Sequence, residues 1–281
     1  MAYSAEISRV NPTCFLFLVD HSGSMAEPWG SNTSVMKAQG VADAVNRLLY
    51  ALVDRCSKGP QLIYDYYSIG VIGYGAEITL GFSTDGLSGT VVQPVSQIGQ
   101  YPLRIEQRRR KVSDGAGGLV EEVFEFPLWF DPVAYGQTPM CQAMQTAGDV
   151  VAQFVREHPQ CFPPVVFNIT DGAATDGDPA PLAAALQDIA SADGNVLLFN
   201  IHISRQCANP IFLPDNEVGL PDEDAWRLFQ MSSLLPAKML QIARVEEIVV
   251  AEGARGFAFN ADVVSLVRLI NIGTQLRPAG A

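Results

Sequence analysis

Asp20, Ser22 and Ser24 stand at alternate positions directly after the apolar run Cys14–Val19. In a near-extended segment alternate side chains share a side, so one carboxylate and two hydroxyls can converge on one point. These are small, hard oxygen donors, suited to Mg²⁺ or Mn²⁺ rather than to zinc or copper. Thr138, in Gly136-Gln137-Thr138-Pro139-Met140, offers a further hydroxyl at the head of the amphipathic stretch Cys141 to Val155. Asp171 closes a second apolar run, residues 165–170, and is followed by Gly172.

Each of these residues also has an ordinary structural use. Aspartate and serine fill turns and helix caps. Thr138 beside Pro139 suits a helix start, and Asp171 can cap the loop that follows it. Asp176 and Asp178, on either side of Gly177, read as caps and turn residues. What singles out the five is where they fall, since open α/β sheets bind ligands outside the carboxyl ends of their strands.

The elements that must position them follow from periodicity. The apolar runs 14–19, 165–170 and 196–203 read as strands buried on both faces. Residues 34–53 carry the i, i+3, i+4, i+7 spacing of a helix, with Ser34 as its cap. Residues 64–74 and 76–82 read as strands joined tightly at Gly75, hence antiparallel. A helix is expected over 179–192, capped by Asp176 or Asp178. Others are expected over 223–231, over 237–252 with a break near Arg244, and over 261–272, with an edge strand at 255–259. Strands alternating with helices predict an α/β fold, a doubly wound and mostly parallel sheet with one antiparallel edge strand and helices on both faces.

Asp-x-Ser-x-Ser, a lone threonine, and Asp-Gly at a strand end, in that order, resemble the metal-ion-dependent adhesion site of von Willebrand factor A (integrin I-like) domains. The resemblance covers roughly residues 10 to 273. It implies that Ser22, Ser24 and Thr138 supply hydroxyls to a Mg²⁺ or similar ion, with Asp20 and Asp171 approaching directly or through water. Neutral hydroxyls quench little of the ion's charge, so an Asp or Glu of a partner protein can replace a bound water. The implied function is a non-enzymatic, metal-dependent protein interaction module. Trp29, in the loop after the motif, and His202, near the end of a predicted strand, are candidates for its partner-binding rim.

Residues 231–236, 256–262 and 272–274 resemble the solitary bacterial members of this group, found beside Ser/Thr kinases and PP2C phosphatases or in tellurite-resistance-type clusters. A stress or signalling complex is implied, with a kinase or phosphatase as partner. An alternative is an adaptor for an AAA+ ATPase of the MoxR or chelatase type.

Composition sets limits. The chain has 281 residues, 48% hydrophobic and 17% charged, with a net charge of −12. That size allows a large core within a single domain, residues 1–281. The acidic balance argues against nucleic acid or an anionic membrane as partner. Residues 1–6 show no secretory pattern. The five scattered cysteines, with Cys14 and Cys141 at expected buried positions, suggest a reducing, cytoplasmic setting.

Enzymatic alternatives fit poorly. A haloacid-dehalogenase-type phosphoryl transferase needs an acid where Ser22 stands, and a lysine at a strand end. Lys37, Lys58, Lys111 and Lys238 fall elsewhere. A metal-dependent hydrolase would have to use the same rim. A Ser22–His202–Asp171 triad lacks the G-x-S-x-G elbow.

Residues 84–135 form an insertion relative to a minimal A domain. Within it, 104–130 reads as a β-hairpin around the glycine-rich turn 114–118. Its basic strand, Arg108 to Lys111, faces Glu121, Glu122 and Glu125 and is neutralised by them.

Overall fold

The computed structural model describes residues 2–29, 32–59, 62–87, 89–113, 118–204, 209–260, 268–269 and 272. The chain opens with β1 (Thr13–Asp20), β2 (Pro28–Trp29), β3 (Asn32–Met36) and α1 (Lys37–Cys56). It continues through β4 (Tyr67–Tyr74), β5 (Ile78–Leu80), β6 (Val92–Pro94) and α2 (Val95–Gln100). The long pair β7 (Arg104–Ser113) and β8 (Leu119–Leu128) precedes α3 (Met140–Glu157) and β9 (Val165–Thr170). After α4 (Ala180–Asp188) come β10 (Ala190–Ser191), β11 (Gly194–Asn195) and β12 (Leu197–His202). The described part closes with β13 (Ile211–Phe212), α5 (Glu223–Met231), α6 (Ala237–Val245) and β14 (Phe257–Phe259).

The main sheet runs β13-β14-β12-β9-β1-β4-β5, with β6 also paired to β4. β4, β1, β9, β12 and β14 are mutually parallel, while β5, β6 and β13 pair antiparallel at the margins. The single antiparallel edge expected from sequence is therefore corrected to antiparallel strands on both sides. β14 is not the edge, because the two-residue β13 lies outside it. β13 is too short for its periodicity to register.

β1 is buried at all eight positions because its two faces feed separate cores. Phe15, Phe17 and Val19 enter one with Val41, Val45 and Leu48 of α1. Cys14, Leu16 and Leu18 enter the other with Met144, Ala147 and Val151 of α3. Phe17 stacks on Phe167 of β9, ring centroids 5.1 Å apart, a contact worth about 1 kcal/mol beyond its area.

Buried polar side chains cross the second face. The Tyr74 hydroxyl donates to Asn168 Oδ1 (2.7 Å), and the Asn168 amide donates to Asn200 Oδ1 (2.9 Å). The Asn200 amide then donates to the Leu228 carbonyl and the Ser232 hydroxyl. Three strands and the end of α5 are thus wired together, and each amide, unpaired, would cost about 1–3 kcal/mol.

Other boundaries move. α1 begins at Lys37, and Ser34 lies in β3 instead of capping the helix. The expected helix 179–192 stops at Asp188, where β10 and β11 form a small hairpin. The helix expected over 237–252 ends at Val245. The one expected over 261–272 falls almost wholly outside the described residues, as does Cys207. Cys141 is half-buried, not buried.

The hairpin forms as expected, with Lys111 opposite Glu121 and Arg110 opposite Glu122. The rest of the insertion is not peripheral. β6 joins the main sheet, Ile98 of α2 is buried, and the fully buried Trp129 donates its indole N–H to the Ile98 carbonyl. Asn46 of α1 accepts the backbone N–H groups of Trp129 and Phe130 and donates to the Phe130 carbonyl. The hairpin proper therefore ends at Leu128.

Candidate functional site

The chain reverses its direction of travel across the sheet beside β1. From β1 it moves out to β4, then returns past β1 to β9, β12 and β14. Neighbouring strands β1 and β9 consequently send their following loops apart, opening a crevice at their carboxyl ends. Asp20 ends β1 and Asp171 follows β9. The register Val19↔Ile169 brings the two strand ends level.

Both oxygens of the buried Asp20 are held. Oδ1 accepts the backbone N–H of Ser22 (2.8 Å), which turns the chain sharply, and Oδ2 accepts the Thr170 hydroxyl (2.7 Å). The turn continues into a short 3₁₀ segment, Gly23–Ala26. Burial pushes the Asp20 carboxyl above its ordinary range, with Asp171 adding to it and the Ser22 and Thr170 hydrogen bonds opposing it.

A continuous oxygen chain runs outward from this turn. The Ser22 and Ser24 hydroxyls lie 3.0 Å apart, and the Ser24 hydroxyl donates to Asp171 Oδ1 at 2.7 Å. Asp171 Oδ2 accepts the Lys37 ammonium at 2.7 Å. Four of the five expected residues are thereby gathered: Asp20, Ser22, Ser24 and Asp171. Among the described residues no group of three or more His, Cys, Asp or Glu side chains gathers. The set is mixed, two carboxylates with hydroxyls, which is donor chemistry for a hard cation.

Thr138 is brought to the same edge by its loop. The Gly23 N–H donates to the Gly136 carbonyl (3.0 Å), and the Thr175 N–H donates to the Thr138 carbonyl (2.9 Å). The 136–138 loop thus bridges the turn after β1 and the loop after β9. Gly136 is required there: its φ is +99°, and a Cβ would sit 2.2 Å from the Ala76 nitrogen. Asp176 fixes the same region from below, accepting the N–H groups of Cys141 and Gln142 at the start of α3. It is a cap, as expected, but of α3 and not α4. Asp178 accepts the Ala180 N–H and serves α4.

The two rim candidates differ in exposure. His202 is 3% exposed, packed edge-on against Phe259, with its Nδ1 lacking a hydrogen-bond partner. Burial lowers its pKa. It is a core side chain because β12 carries it inside β14. Trp29 is half-buried against α1, so close to Gly40 that a Cβ there would lie 2.1 Å from its ring. The Ser22–His202–Asp171 triad is not wired, since Ser22 pairs with Ser24. His21 turns away from the site and tilts against Phe130, and burial pushes its pKa down to about 4.

Lys37 is the residue that sequence reasoning passed over. Its side chain is fully out of solvent, and it also lies 3.3 Å from Glu27 Oε2. The available signal is phase: Lys37 shares the apolar stripe of Val41, Ala44, Val45 and Leu48, where a lysine needs a partner. Beside the site a cleft of about 260 Å³ runs from Gly172 to α5, with Met140, Leu228 and Met231 inside and Asp224 and Arg227 among its lining. Among the described residues no helix is long and apolar enough to cross a membrane.

No protein-family model and no curated protein matches the chain. Among solved structures, proximal thread matrix protein 1 of the mussel byssus aligns over 96% of this chain and 49% of its own, at 13% identity and a TM-score of 0.44. The human COPII-coat protein Sec24c aligns over 70% of this chain and 26% of its own, at 12% identity and a TM-score of 0.34. The PilB minor pilin of Streptococcus sanguinis aligns over 68% and 57%, at 10% identity and a TM-score of 0.29. The chain spans about half the length of the first of these and about a quarter of the second. Likeness of this degree says nothing about function.

Proposed function

We propose that the chain is a non-enzymatic interaction module of the von Willebrand factor A type, a doubly wound Rossmann-like fold that binds an acidic residue of a partner protein through a divalent cation. The observation that carries this reading is the oxygen chain Ser22–Ser24–Asp171 beside Asp20, at the point where the sheet order reverses.

A bound Mg²⁺ or Mn²⁺ would supply an electrophilic position that accepts a carboxylate oxygen. The chain's own residues do the rest. Ser22, Ser24 and Thr138 would offer neutral oxygens, and Asp20 and Asp171 the negative charge. Thr170 and the Ser22 N–H orient Asp20, so its geometry is set before any ligand arrives. Ser24 is half-buried and Gly23 exposed, which leaves an approach from solvent on that side. The cleft at Gly172 suits an apolar neighbour of the partner's acidic residue.

Capture of partners from a host extract tests the reading, with wild type and Ser22→Ala/Ser24→Ala compared in Mg²⁺ and in EDTA. A protein held only by wild type in Mg²⁺ supports it. Partners retained equally by all four samples overturn it and move the interaction surface elsewhere.

A further inference from the structure

We infer that Lys37 is a resident cation of the site: it neutralises Asp171, so that this chain alone holds the divalent ion weakly and depends on the partner's carboxylate to complete binding. The inference rests on the metal-site reading above and deepens it.

Three observations support it. The ammonium is 2.7 Å from Asp171 Oδ2 and both side chains are fully removed from solvent, so the interaction is little screened. The other oxygen of Asp171 takes the Ser24 hydroxyl, which places Lys37 and the candidate ligand oxygens on the two sides of one carboxylate. Glu27, partly open to solvent, lies 3.3 Å from the same ammonium. That second carboxylate offers the ammonium an alternative when a divalent ion draws on Asp171.

Charge balance gives the consequence. Asp20, Asp171 and Glu27 with Lys37 leave two net negative charges to hold the ion, against three without the lysine. Once the ion is bound, the assembly is close to neutral and does not repel an incoming carboxylate. Without Lys37 the carboxylates would hold the ion more tightly and stay net negative with it bound, which disfavours the partner's carboxylate. Lys37 thereby moves affinity from the metal to the acidic ligand.

The test is the affinity for Mn²⁺ alone, read by electron paramagnetic resonance on the full chain. Lys37→Met should bind Mn²⁺ about tenfold more tightly or better, as loss of an adjacent like charge requires. Lys37→Arg, which keeps the charge, should stay near wild type. Glu27→Gln, a change at a partly exposed site, should bind more weakly, because the ammonium then has Asp171 alone. Binding seen only in Lys37→Met also supports the inference. Equal affinities in wild type and Lys37→Met overturn it while leaving the metal site intact. If Lys37→Met does not fold, Mn²⁺ binding by Glu27→Gln that equals or exceeds wild type overturns it. Absence of Mn²⁺ binding in all four folded proteins removes the metal-site reading itself, and this inference with it.

Discussion

The Lys37 ammonium and the Asp171 carboxylate meet at 2.7 Å with neither side chain touching solvent. A charge pair removed from water owes its stability to its partner, so losing one member leaves the other buried and uncompensated. Lys37→Met and Asp171→Asn should each destabilise the metal-free protein by about 3–5 kcal/mol. The double variant should cost clearly less than the two singles added, since the pair is removed together. Chemical denaturation of all four proteins gives the coupling, and strict additivity would contradict a pair of this kind.

Divalent cations should stabilise the folded chain through Ser22 and Ser24. At about ten times its dissociation constant an ion adds about 1.4 kcal/mol, which raises the melting temperature by about 2–5 °C in a chain of this size. Thermal scans with and without millimolar Mg²⁺ or Mn²⁺ should show that rise in wild type, and its loss in Ser22→Ala/Ser24→Ala. The same rise in the double variant would place the ion elsewhere.

The hairpin should be dispensable up to Leu128 and no further. β7 is tied at its base by Arg104 to Asp131 (2.6 Å), and by the Leu103 N–H to the Leu128 carbonyl (2.7 Å). Arg108 lies over Phe126 and reaches Asp43 of α1. Replacing residues 105–127 by a two-residue turn should leave a cooperative unfolding transition, seen by circular dichroism. Trp129→Ala should cost about 3–5 kcal/mol by comparison. Deleting 104–130, the hairpin bounds expected from sequence, removes that tryptophan and should unfold the chain.

Stability should fall in mild acid, in part through His202. Burial lowers its folded pKa, with Asp222, Asp224 and Asp171 opposing and Lys37 assisting. The unfolded histidine, titrating near 6.5, takes up a proton before the folded one does. Stability is thus complete above about pH 6.5 and declines as the pH drops below it. His202→Gln should flatten that part of the profile of denaturation midpoint against pH, and an unchanged slope would assign the acid sensitivity to other groups.

Apolar runs made β1, β9 and β12 legible, because strands buried on both faces have little else to be. Asp20, Ser22 and Ser24 could be grouped from their spacing alone, whereas Asp171 reaches them through the register of β9 against β1. Helix α5 was found to the residue, Asp222 capping it through the Ala225 N–H. What escaped was tertiary. Nothing local says that Asp176 will cap a helix 35 residues before it, or that Trp129 will anchor on Asn46 and lie under α2. His202 looked like a rim residue since strand ends usually face ligands, but β13 and β14 extend the sheet past it. Lys37 was set aside only as a lysine away from any strand end, and its partner, Asp171, is 134 residues away.

The amide ladder from Tyr74 through Asn168 to Asn200 bears on how this sheet chooses its alignment. Apolar side chains are nearly interchangeable, so strands such as β9 and β12, hydrophobic on both sides, carry little information about which residue should sit opposite which. A slip of one residue would turn Asn168 and Asn200 to opposite faces, and a slip of two would leave them without each other. Either error forfeits hydrogen bonds in a dry interior, whereas the native pairing Asn168↔Asn200 satisfies both. The ladder acts as a key that admits one register of β9 against β12, and so fixes the level at which β9 hands the chain on to Asp171.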